Sequence, residues 1–555
     1  MTDSETQSLD CEVLVVGAGP TGLMAANLLR RSGVDVRIVD QRRQPSQESR
    51  AFAVSARSLE LFASLGLADR LFEHGVVNSQ IQFFISGDHV GGLDFDRASS
   101  DDTPFQFILM IPQSRTEAVL LDALREDGIE VERGVDVTGF EQDEAGVRVT
   151  AKRGDDASFE IAAGYVIGAD GAHSIVRNGL NLRFEGAKYP QSFLLGDVAV
   201  DWELDHARFR VFMHGERIGL FFPLHGSNLS RVMTTDMSGQ TSSDADEQAE
   251  LALEDLEASF QKAAGLPVRL RDPTWLTHFR THHRVVDRYR VGRVFVAGDA
   301  AHIHSPAGGQ GMNTGLQDAA NLAWKLAALL RGGADDALLD TYESERLPVA
   351  REVLRFTDRL FEAAAGQTGW RARMRDLLAP VIVGPGSNLD FIQDKAFRKF
   401  AQIDILYAPG RFVGGGAVED RTGPSPRPGE RAPNARLSRH RDVFDLTVGY
   451  RFHALALSHK PLVEDEAAAL SSQLAALSQA GAESHLIARL AHGQRAGVEH
   501  VENASVFDRY GLKGDDAQAL VLVRPDGYIA WRAESLDIEG CRRFLARLGG
   551  GAPPV

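Results

Sequence analysis

The stretch "CEVLVVGAGPTGLMAANLLRRSGVDVRIVD", from Cys11 to Asp40, decides the fold. Its run "VLVV" is continuously apolar, as strands buried on both faces of a parallel sheet are. The following "TGLMAANLLRR" repeats apolar residues at helical spacing, Gly33 ends that helix, and "VDVRIVD" predicts a second strand. The order of strand, glycine-rich turn, helix and strand predicts a Rossmann-like nucleotide-binding unit.

The glycine-rich turn "GAGPTG" contains Gly17, Gly19 and Gly22. In such a turn the first glycine allows the tight bend, and the second lets the backbone approach a pyrophosphate at the helix amino terminus. The third lets helix and strand pack closely. Asp40 ends the second strand, where a carboxylate accepts hydrogen bonds from ribose hydroxyls. Together these residues predict dinucleotide binding.

Two further turns between a strand and a helix follow later in the chain. The segment "GADGAHSIVR", residues 168–177, contains Asp170, and "GDAAHIHSPAGGQGMN", residues 298–313, contains Asp299. Taken alone, an aspartate at such a place caps the following helix. The glycines of the later segment also indicate backbone that lies close to a bound group.

The sequence between these turns changes character. Segments such as "SQIQFFISGDHVGGLDF" and "RIGLFFPL" alternate in polarity around turns, which is typical of antiparallel strands. We therefore predict a mixed α/β and α+β protein, in which a Rossmann-like domain is interrupted by an antiparallel-sheet substrate domain. The predicted nucleotide-binding domain consists of residues 1–80, 111–185 and 291–407, the last of which includes a helical extension. The predicted substrate domain consists of residues 81–110 and 186–290. A linker, residues 408–434, leads to a last domain, residues 435–555.

Composition limits the function further. The 555 residues carry a formal net charge of −17, which disfavours nucleic acid and anionic membrane as main partners. The two cysteines, Cys11 and Cys541, lie at opposite ends, and no CxxC or Cys/His spacing is present, so we predict neither a disulfide nor a metal site. The polar first ten residues lack a signal-peptide pattern. These features predict a cytoplasmic protein that does not enter a membrane.

The three turns, in this order and at this spacing, resemble the single-component FAD-dependent aromatic hydroxylases of the p-hydroxybenzoate hydroxylase type. In that family a GxGxxG turn binds ADP, a "DG" segment lies near the cofactor and NAD(P)H, and a "GD" segment binds the ribityl chain. The carboxy-terminal part, entered through "PRPGERAPNARL", resembles the thioredoxin-like domain of the phenol and polyketide hydroxylase branch. Because that domain lacks CxxC, we expect it to have a structural or dimer-supporting role, and a homodimer is a possible assembly.

The resemblance implies a role for individual residues. The FAD-binding residues it implies are Gly17, Gly19, Gly22, Asp40, Arg50, Gln113, Asp170, Asp299, Gly309, Gly311, Met312 and Asn313. Among them, Asp299 and Gln113 would bind the ribityl chain, and backbone N–H groups from Gly309 onward would meet the flavin N1/O2 end. Pro306 would lie beside the reactive edge of the flavin as the catalytic candidate. Phe221, Phe222 and Pro223 would line the substrate pocket, or alternatively form sheet core.

The resemblance also implies the reaction. NAD(P)H, either NADPH or NADH, reduces FAD, and O2 forms a flavin C4a-hydroperoxide that hydroxylates a small phenolic or other aromatic substrate, polycyclic and polyketide-like ones included. The position of the acid in yeast-type phenol hydroxylases falls in "RAFAV", which has no carboxylate, so no phenol base is identified. The alternatives are a Baeyer–Villiger, epoxidising or antibiotic-inactivating flavin monooxygenase, and a non-catalytic flavin-binding protein.

Overall fold

The computed structural model describes residues 9–46, 51–97, 102–154, 156–226, 228–236, 251–304, 309–364, 390–414, 426–490, 497–501 and 504–549. In chain order, the first part contains β1 (Cys11–Val16), α1 (Pro20–Arg31), β2 (Val36–Asp40), β3 (Ala53–Val54), α2 (Ala56–Ser64), α3 (Ala68–Phe72), β4 (Val76–Asn78), β5 (Gln80–Ile85), β6 (Asp88–Asp94), β7 (Ile108–Met110), α4 (Gln113–Glu126), β8 (Glu132–Arg133), β9 (Val135–Gln142), β10 (Val147–Arg153), β11 (Phe159–Gly168), α5 (Ile175–Gly179), β12 (Phe184–Asp201), β13 (Phe209–His214), β14 (Arg217–Pro223) and β15 (Leu229–Asp236). The second part contains α6 (Leu253–Ala264), β16 (Arg269–Val286), β17 (Arg290–Val291), β18 (Val294–Val296), β19 (His302–Ile303), α7 (Gln310–Gly332), α8 (Ala337–Ala364), α9 (Asp390–Phe400), β20 (Arg436–Ser438), β21 (Arg441–Asp442), α10 (Val443–Thr447), β22 (Phe452–Leu462), α11 (Glu464–Gln479), β23 (Ala482–Leu490), β24 (Val498–His500), α12 (Ser505–Arg509), β25 (Gln518–Val523), β26 (Ile529–Ala533) and α13 (Ile538–Arg547).

The first sheet has the order β17-β18-β11-β1-β2-β8, and β9 and β10 extend it from β11. Strand β1 runs parallel to β2 and β11, and β11 runs parallel to β18. Helix α1 packs against α7 and α4 over this sheet. Because β1 is covered on both faces, its residues from Val13 to Leu14 are fully buried, as the continuous apolar run predicts. The Rossmann-like unit is confirmed.

The second sheet is mainly antiparallel, with the order β19-β16-β12-β15-β14-β13-β5-β6. Its strands come from the two predicted substrate-domain segments, with β19 added at one edge. Since β19 (His302–Ile303) belongs to the segment 298–313, that segment joins this sheet directly to the nucleotide-binding domain. Helix α6 covers one face of the sheet, and the other face is directed toward the first domain.

A small third sheet of order β3-β7-β4 differs from the predicted division of the chain. The strand Ile108–Met110 lies in the segment that the sequence assigns to the substrate domain, yet it pairs with Ala53–Val54 and Val76–Asn78. The apolar pattern of β7 identifies a strand but contains no information about its partner. Tertiary packing determines which strands pair with β7, and it buries Leu109 completely.

The last domain contains a five-stranded sheet of order β24-β23-β22-β25-β26. Strands β22 and β23 are parallel and joined by α11, and β25 and β26 form an antiparallel hairpin. This is the thioredoxin-like arrangement that the sequence predicts. Both cysteines are free and buried, and burial raises the pKa of each thiol to about 12, so neither is a reactive thiolate.

A buried group of charged side chains joins the last domain to α7 and α8. Lys325 of α7 donates to Glu345 of α8 at 2.9 Å, and Arg524, which follows β25, donates to both carboxylate oxygens of Glu345 at 2.8 and 2.9 Å. Arg524 also donates to Asp526. The side chains of the four residues are at most 4% exposed. Removing one partner would leave an uncompensated buried charge, so this group fixes the domain to the helix pair.

None of the helices in the described part of the chain is long and apolar enough to cross a lipid bilayer.

Candidate active site

The glycines of the amino-terminal turn fall into two kinds. Gly17 has a φ of +105°, and a Cβ built on it would lie 2.3 Å from the carbonyl oxygen of Ala169. A Cβ on Gly22 would lie 1.9 Å from the carbonyl oxygen of Gly17. A Cβ on Gly19, in contrast, would meet no described atom within 4 Å. Two glycines therefore permit close packing, and Gly19 presents open backbone at the amino terminus of α1, where a diphosphate can approach.

Asp40, at the end of β2, holds this turn in place. Its Oδ2 accepts a hydrogen bond from the backbone N–H of Ala18 at 2.6 Å, and its Oδ1 accepts one from Arg42 N–H at 2.8 Å. The Arg133 guanidinium lies 3.6 Å from Oδ1. A carboxylate has about four lone-pair sites, so acceptor capacity is left for a ribose hydroxyl. The ribose role stays a prediction, and the bracing of the turn is an additional role.

The amino-terminal turn and the turn at residue 298 lie in direct contact. A Cβ built on Gly298, whose φ is +59°, would lie 2.5 Å from Thr21 Oγ1. A Cβ on Gly315 of α7 would lie 2.3 Å from the same oxygen. The first turn of α1 therefore packs into a groove floored by two glycines. Two glycine-rich turns that lie far apart in sequence form one continuous surface.

Asp299 and Asp170 have different surroundings. Asp299 is exposed in a short 3-10 turn, Gly298–Ala300, next to the contact with Thr21. Asp170 is engaged locally, because its carboxylate accepts hydrogen bonds from Ser174 Oγ at 2.5 Å and from the N–H of Ile175 at 2.7 Å. Burial raises the pKa of Asp170. In the described structure Asp170 thus acts as a helix cap, and contact with a cofactor stays a prediction.

Arg177 connects the second and third turns. Its guanidinium donates to the carbonyl oxygens of Ala300 at 3.2 Å and Ala172 at 2.9 Å, and it lies over the Phe184 ring at 4.1 Å. The "DG" segment is therefore tied to the "GD" segment by a side chain that is 6% exposed. All three turns predicted to bind one cofactor lie together at this end of the first sheet.

Helix α7 begins at this surface. Its amino-terminal cap, Gly309, has a φ of +63°, in the left-handed region that favours glycine. Gly311 lies close to His304, since a Cβ on it would be 3.3 Å from Cε1 of that ring, and Met312 is 9% exposed. The free N–H groups of a helix amino terminus carry positive potential. The first turn of α7 is therefore suited to a group that becomes negatively charged.

Asn313 fixes the start of α7 to β3, a link that the sequence does not reveal. Its Oδ1 accepts from Ser55 N–H at 2.9 Å, and its Nδ2 donates to the carbonyl oxygens of Ala53 at 2.9 Å and Gly309 at 2.8 Å. The side chain is 1% exposed. The Asn313 side chain therefore positions backbone. The flavin contact that the resemblance implies would use the backbone N–H of Asn313 and stays a prediction.

A buried network that the sequence does not predict supports the same region. Asp318 of α7 accepts from the backbone N–H of Gly298 at 3.1 Å and from Arg346 Nε at 2.7 Å, and it lies 2.7 Å from His302 Nε2. Burial would raise the pKa of Asp318, but Arg346 and His302 lower it. His302, 1% exposed, is thus a structural histidine.

Gln113 lies at the first turn of α4, beside residue 51. Its Nε2 donates to Glu117 Oε1 at 2.8 Å, its Oε1 accepts from Ala51 N–H at 3.3 Å, and its own N–H donates to Ala51 O at 3.0 Å. Burial raises the pKa of Glu117. Arg50 and Pro306 lie outside the described residues.

The predicted substrate residues on β14 divide between two faces of the sheet. Phe222 packs on Phe52, with ring centroids 3.8 Å apart, and stacks on Phe209 at 4.5 Å. Phe52 directly precedes β3, so this contact joins the substrate sheet to the backbone held by Asn313. Phe221 faces the other way, against Trp202 at 4.5 Å in the core under α6. Pro223, also buried, ends the strand. Phe221 is therefore sheet core, the alternative that the sequence leaves open, and substrate contact by Phe222 stays a prediction.

These surroundings fit FAD. Open backbone at Gly19 suits a diphosphate, exposed Asp299 suits a polyol chain, and the first turn of α7 suits the electron-rich end of a flavin ring. The Phe52–Phe222 contact lies beside that turn, through β3 and Asn313.

Comparison with known proteins agrees with this geometry. Residues 10–357 match the family model of an FAD binding domain, and residues 425–552 match that of the aromatic-ring hydroxylase C-terminal domain. The chain is 34% identical over 537 residues to pentachlorophenol 4-monooxygenase of Sphingobium chlorophenolicum, covering 95% of this chain and 94% of that protein. It is 34% identical over 529 residues to rifampicin monooxygenase of Streptomyces venezuelae, covering 94% and 96%.

The fold is shared with solved structures as well. The anhydrotetracycline hydroxylase of Streptomyces rimosus superposes with a TM-score of 0.71 at 29% identity, over 98% of this chain and 99% of that one. The relatives are enzymes, which argues against a non-catalytic flavin-binding protein. The family resemblance drawn from the three turns is confirmed, and the chain belongs to the FAD-dependent aromatic-ring hydroxylases, in which it is an aromatic monooxygenase.

Proposed function

We propose that this monooxygenase takes electrons from NAD(P)H and oxygen from O2 to hydroxylate a phenolic ring, and that its substrate is polycyclic or polyketide-like. The observation that supports the cofactor site is the contact between Thr21 and Gly298, which joins the amino-terminal turn and the turn at residue 298 in one surface. When bound there, FAD supplies hydride acceptance and oxygen activation, which no amino-acid side chain provides.

The described residues would divide the work of holding the cofactor. The turn from Gly17 to Gly22 would hold the diphosphate at the amino terminus of α1, and Asp40 would accept from the ribose. Asp299 would accept from the ribityl hydroxyls. N–H groups in the first turn of α7 would stabilise negative charge on the reduced ring without a charged side chain, and Asn313 keeps that turn in position.

The substrate would lie on the aromatic side chains between the two domains. Phe222, Phe52 and Phe209 belong to an apolar cluster that also includes Met110 and Phe397. Such a surface binds flat apolar rings by offset stacking and keeps water from the reacting atoms. The anhydrotetracycline hydroxylase among the structural neighbours supports a fused-ring substrate.

The relatives also support a second candidate, modification of an antibiotic. Rifampicin monooxygenase covers 94% of this chain at the same 34% identity as the pentachlorophenol enzyme. The two candidates share every cofactor contact named above and differ only in the substrate. Rifampicin therefore belongs in any substrate screen beside monocyclic and polycyclic phenols.

One experiment tests the proposal. The purified FAD-loaded protein is mixed with NADPH or NADH and each aromatic compound, and both coenzyme oxidation and products are measured. We expect substrate-stimulated oxidation with polycyclic phenols and a product heavier by one oxygen atom. Product structure by NMR separates hydroxylation from Baeyer–Villiger insertion and epoxidation, which add the same mass. Stimulation by monocyclic phenols alone would contradict the substrate class, and a product other than a ring hydroxyl would contradict the reaction.

We further propose a homodimer, which the carboxy-terminal domain would support. Light scattering of the purified protein, with the mass compared with 60.4 kDa for one chain, decides this.

A further inference from the structure

Three side chains that commonly bind metals meet in the thioredoxin-like domain. His453 lies on β22, and Glu483 and His485 lie on β23. One ligand atom from each residue lies within 4.8 Å of the others. The parallel register places His453 opposite Glu483 and Leu455 opposite His485. Since side chains alternate along strands, all three residues share one face of the sheet.

The middle of that face is apolar. Its next positions along the two strands are Leu455, Leu457 and Ile487, which are fully buried in one hydrophobic cluster. The apolar pattern stops at the first residues of both strands, where two imidazoles and a carboxylate take its place. Burying polar groups costs free energy unless they are paired, and His453 is only 1% exposed. A bound cation would offset that cost.

The distance between the imidazoles suits zinc. His453 Nδ1 and His485 Nε2 are 3.4 Å apart. Zn–N bonds of roughly 2.0–2.1 Å in a tetrahedron place two ligand nitrogens about 3.4 Å from each other. The two nitrogens are therefore already at the separation that one zinc ion requires. Glu483 is exposed, so its side chain can rotate to supply a third ligand, and a water molecule can complete the tetrahedron.

Two neighbours set the properties of this group. His453 Nε2 lies 3.4 Å from the carbonyl oxygen of Gly449. If Nε2 carries the proton and donates it to this carbonyl oxygen, the lone pair on Nδ1 is available to the ion. Metal-binding histidines are commonly held by such a hydrogen bond from their second ring nitrogen. Arg451 NH1 lies 3.5 Å from Glu483 Oε2, so Arg451 competes with a cation for that carboxylate.

We propose that His453, Glu483 and His485 form a binding site for Zn²⁺, separate from the flavin site. Two imidazoles and one carboxylate match zinc sites that keep an open position. The site adjoins the contact between the last domain and α7, where the Tyr450 hydroxyl accepts from Trp324 N–H and donates to Ala320 O. Bound zinc would hold β22, β23 and the turn at Gly449 together and thereby stabilise this contact. The Cys and His spacing of the sequence does not reveal this site, because strand pairing, not sequence proximity, brings the ligands together.

The test uses the full-length, untagged, FAD-loaded protein after removal of metals with a chelator. Titration with Zn²⁺ is followed by calorimetry, and titration with Co²⁺ is followed by visible absorption at wavelengths beyond the flavin bands. We expect one ion per chain, a tetrahedral Co²⁺ spectrum, and a higher melting temperature with Zn²⁺. Glu483→Gln and His485→Gln should each weaken binding at least tenfold, and Arg451→Gln should strengthen it.

The matched control is His440→Gln, which removes an exposed histidine of the same domain and should leave zinc binding unchanged. Glu483 is exposed, so Glu483→Gln should fold normally, and circular dichroism and FAD retention verify this. Wild-type protein without a stoichiometric site would overturn the proposal. So would undiminished binding in a folded Glu483→Gln together with a folded His485→Gln.

Discussion

Thr21 of the first turn of α1 packs against Gly298, at a distance that leaves no room for a Cβ, since one would lie 2.5 Å from Thr21 Oγ1. This contact joins two distant segments in one continuous surface, which is the surface proposed to bind the cofactor. Asp318 secures it from below by accepting from the N–H of Gly298. The position of Gly298 is therefore fixed from both sides.

Gly298→Ala should weaken both FAD binding and the fold. An L-residue at a φ of +59° costs about 1–2 kcal/mol, and the collision with Thr21 adds to that cost. Gly333→Ala is the matched control, because Gly333 has a φ of +66° and no described atom within 4 Å of its Cβ position. We expect Gly333→Ala to lower the free energy of unfolding alone, and Gly298→Ala to raise the FAD dissociation constant as well. Equal FAD affinity in both variants would contradict the close-contact argument.

Asp299→Ala should release FAD more readily. Asp299 is exposed beside the Thr21–Gly298 contact, and a hydrogen bond to a charged acceptor contributes about 1.5–3 kcal/mol. We expect the FAD dissociation constant, measured by flavin fluorescence, to rise about tenfold or more. Asp88→Ala, which removes an exposed carboxylate from β6, should leave it unchanged. An Asp299→Ala protein that retains FAD as the wild type does would refute the ribityl role.

Local sequence motifs predict the glycine-rich turns, but they do not predict the long-range hydrogen bonds that hold these turns in position. The roles of Gly17, Gly19 and Gly22 could be predicted from the sequence, because the need for a glycine at each position arises within one strand–turn–helix unit. The roles of Asn313 and Asp318 could not be predicted in this way. Their hydrogen-bond partners come from β3 and α8, which only folding brings close to α7. The same reason applies to β7, whose partners are not encoded in its own pattern. His453 and His485 also meet only through strand register.

The two adjacent phenylalanines of β14 should behave differently. Phe222→Leu removes a ring that contacts Phe52 and Phe209, so we expect a higher KM for the aromatic substrate and less product per NAD(P)H oxidised. Phe221→Leu changes the core under α6 and should lower stability while leaving KM unchanged. Steady-state kinetics with product analysis, together with thermal unfolding, separate the effects. Similar KM values in the two variants would show that Phe222 does not contact substrate.

The buried charges between α7, α8 and the last domain should make stability depend on pH in two windows. Burial would raise the pKa of Glu345, but Arg524 and Lys325 lower it from 4.5 to about 2. Burial lowers the pKa of Lys325 from 10.5 to about 8, against the attraction of Glu345. Both folded pKa values lie below the unfolded ones, so the unfolded chain binds more protons in each window. Stability should therefore fall as the pH drops from 10.5 to 8, and again as it drops from 4.5 to 2.

Glu345→Gln tests this directly. At pH 7 it leaves Lys325 and Arg524 without their shared carboxylate, and losing one partner of a buried pair costs about 3–5 kcal/mol. As the pH falls below 4.5, the wild type loses the contribution of Glu345 and the variant does not, so the difference between them should shrink. Urea unfolding followed by circular dichroism across this range measures it. Glu126→Gln, at an exposed pair with Arg70, is the control and should leave stability close to that of the wild type across this range. A difference between wild type and Glu345→Gln that stayed constant with pH would mean that Glu345 is not held ionised by its neighbours.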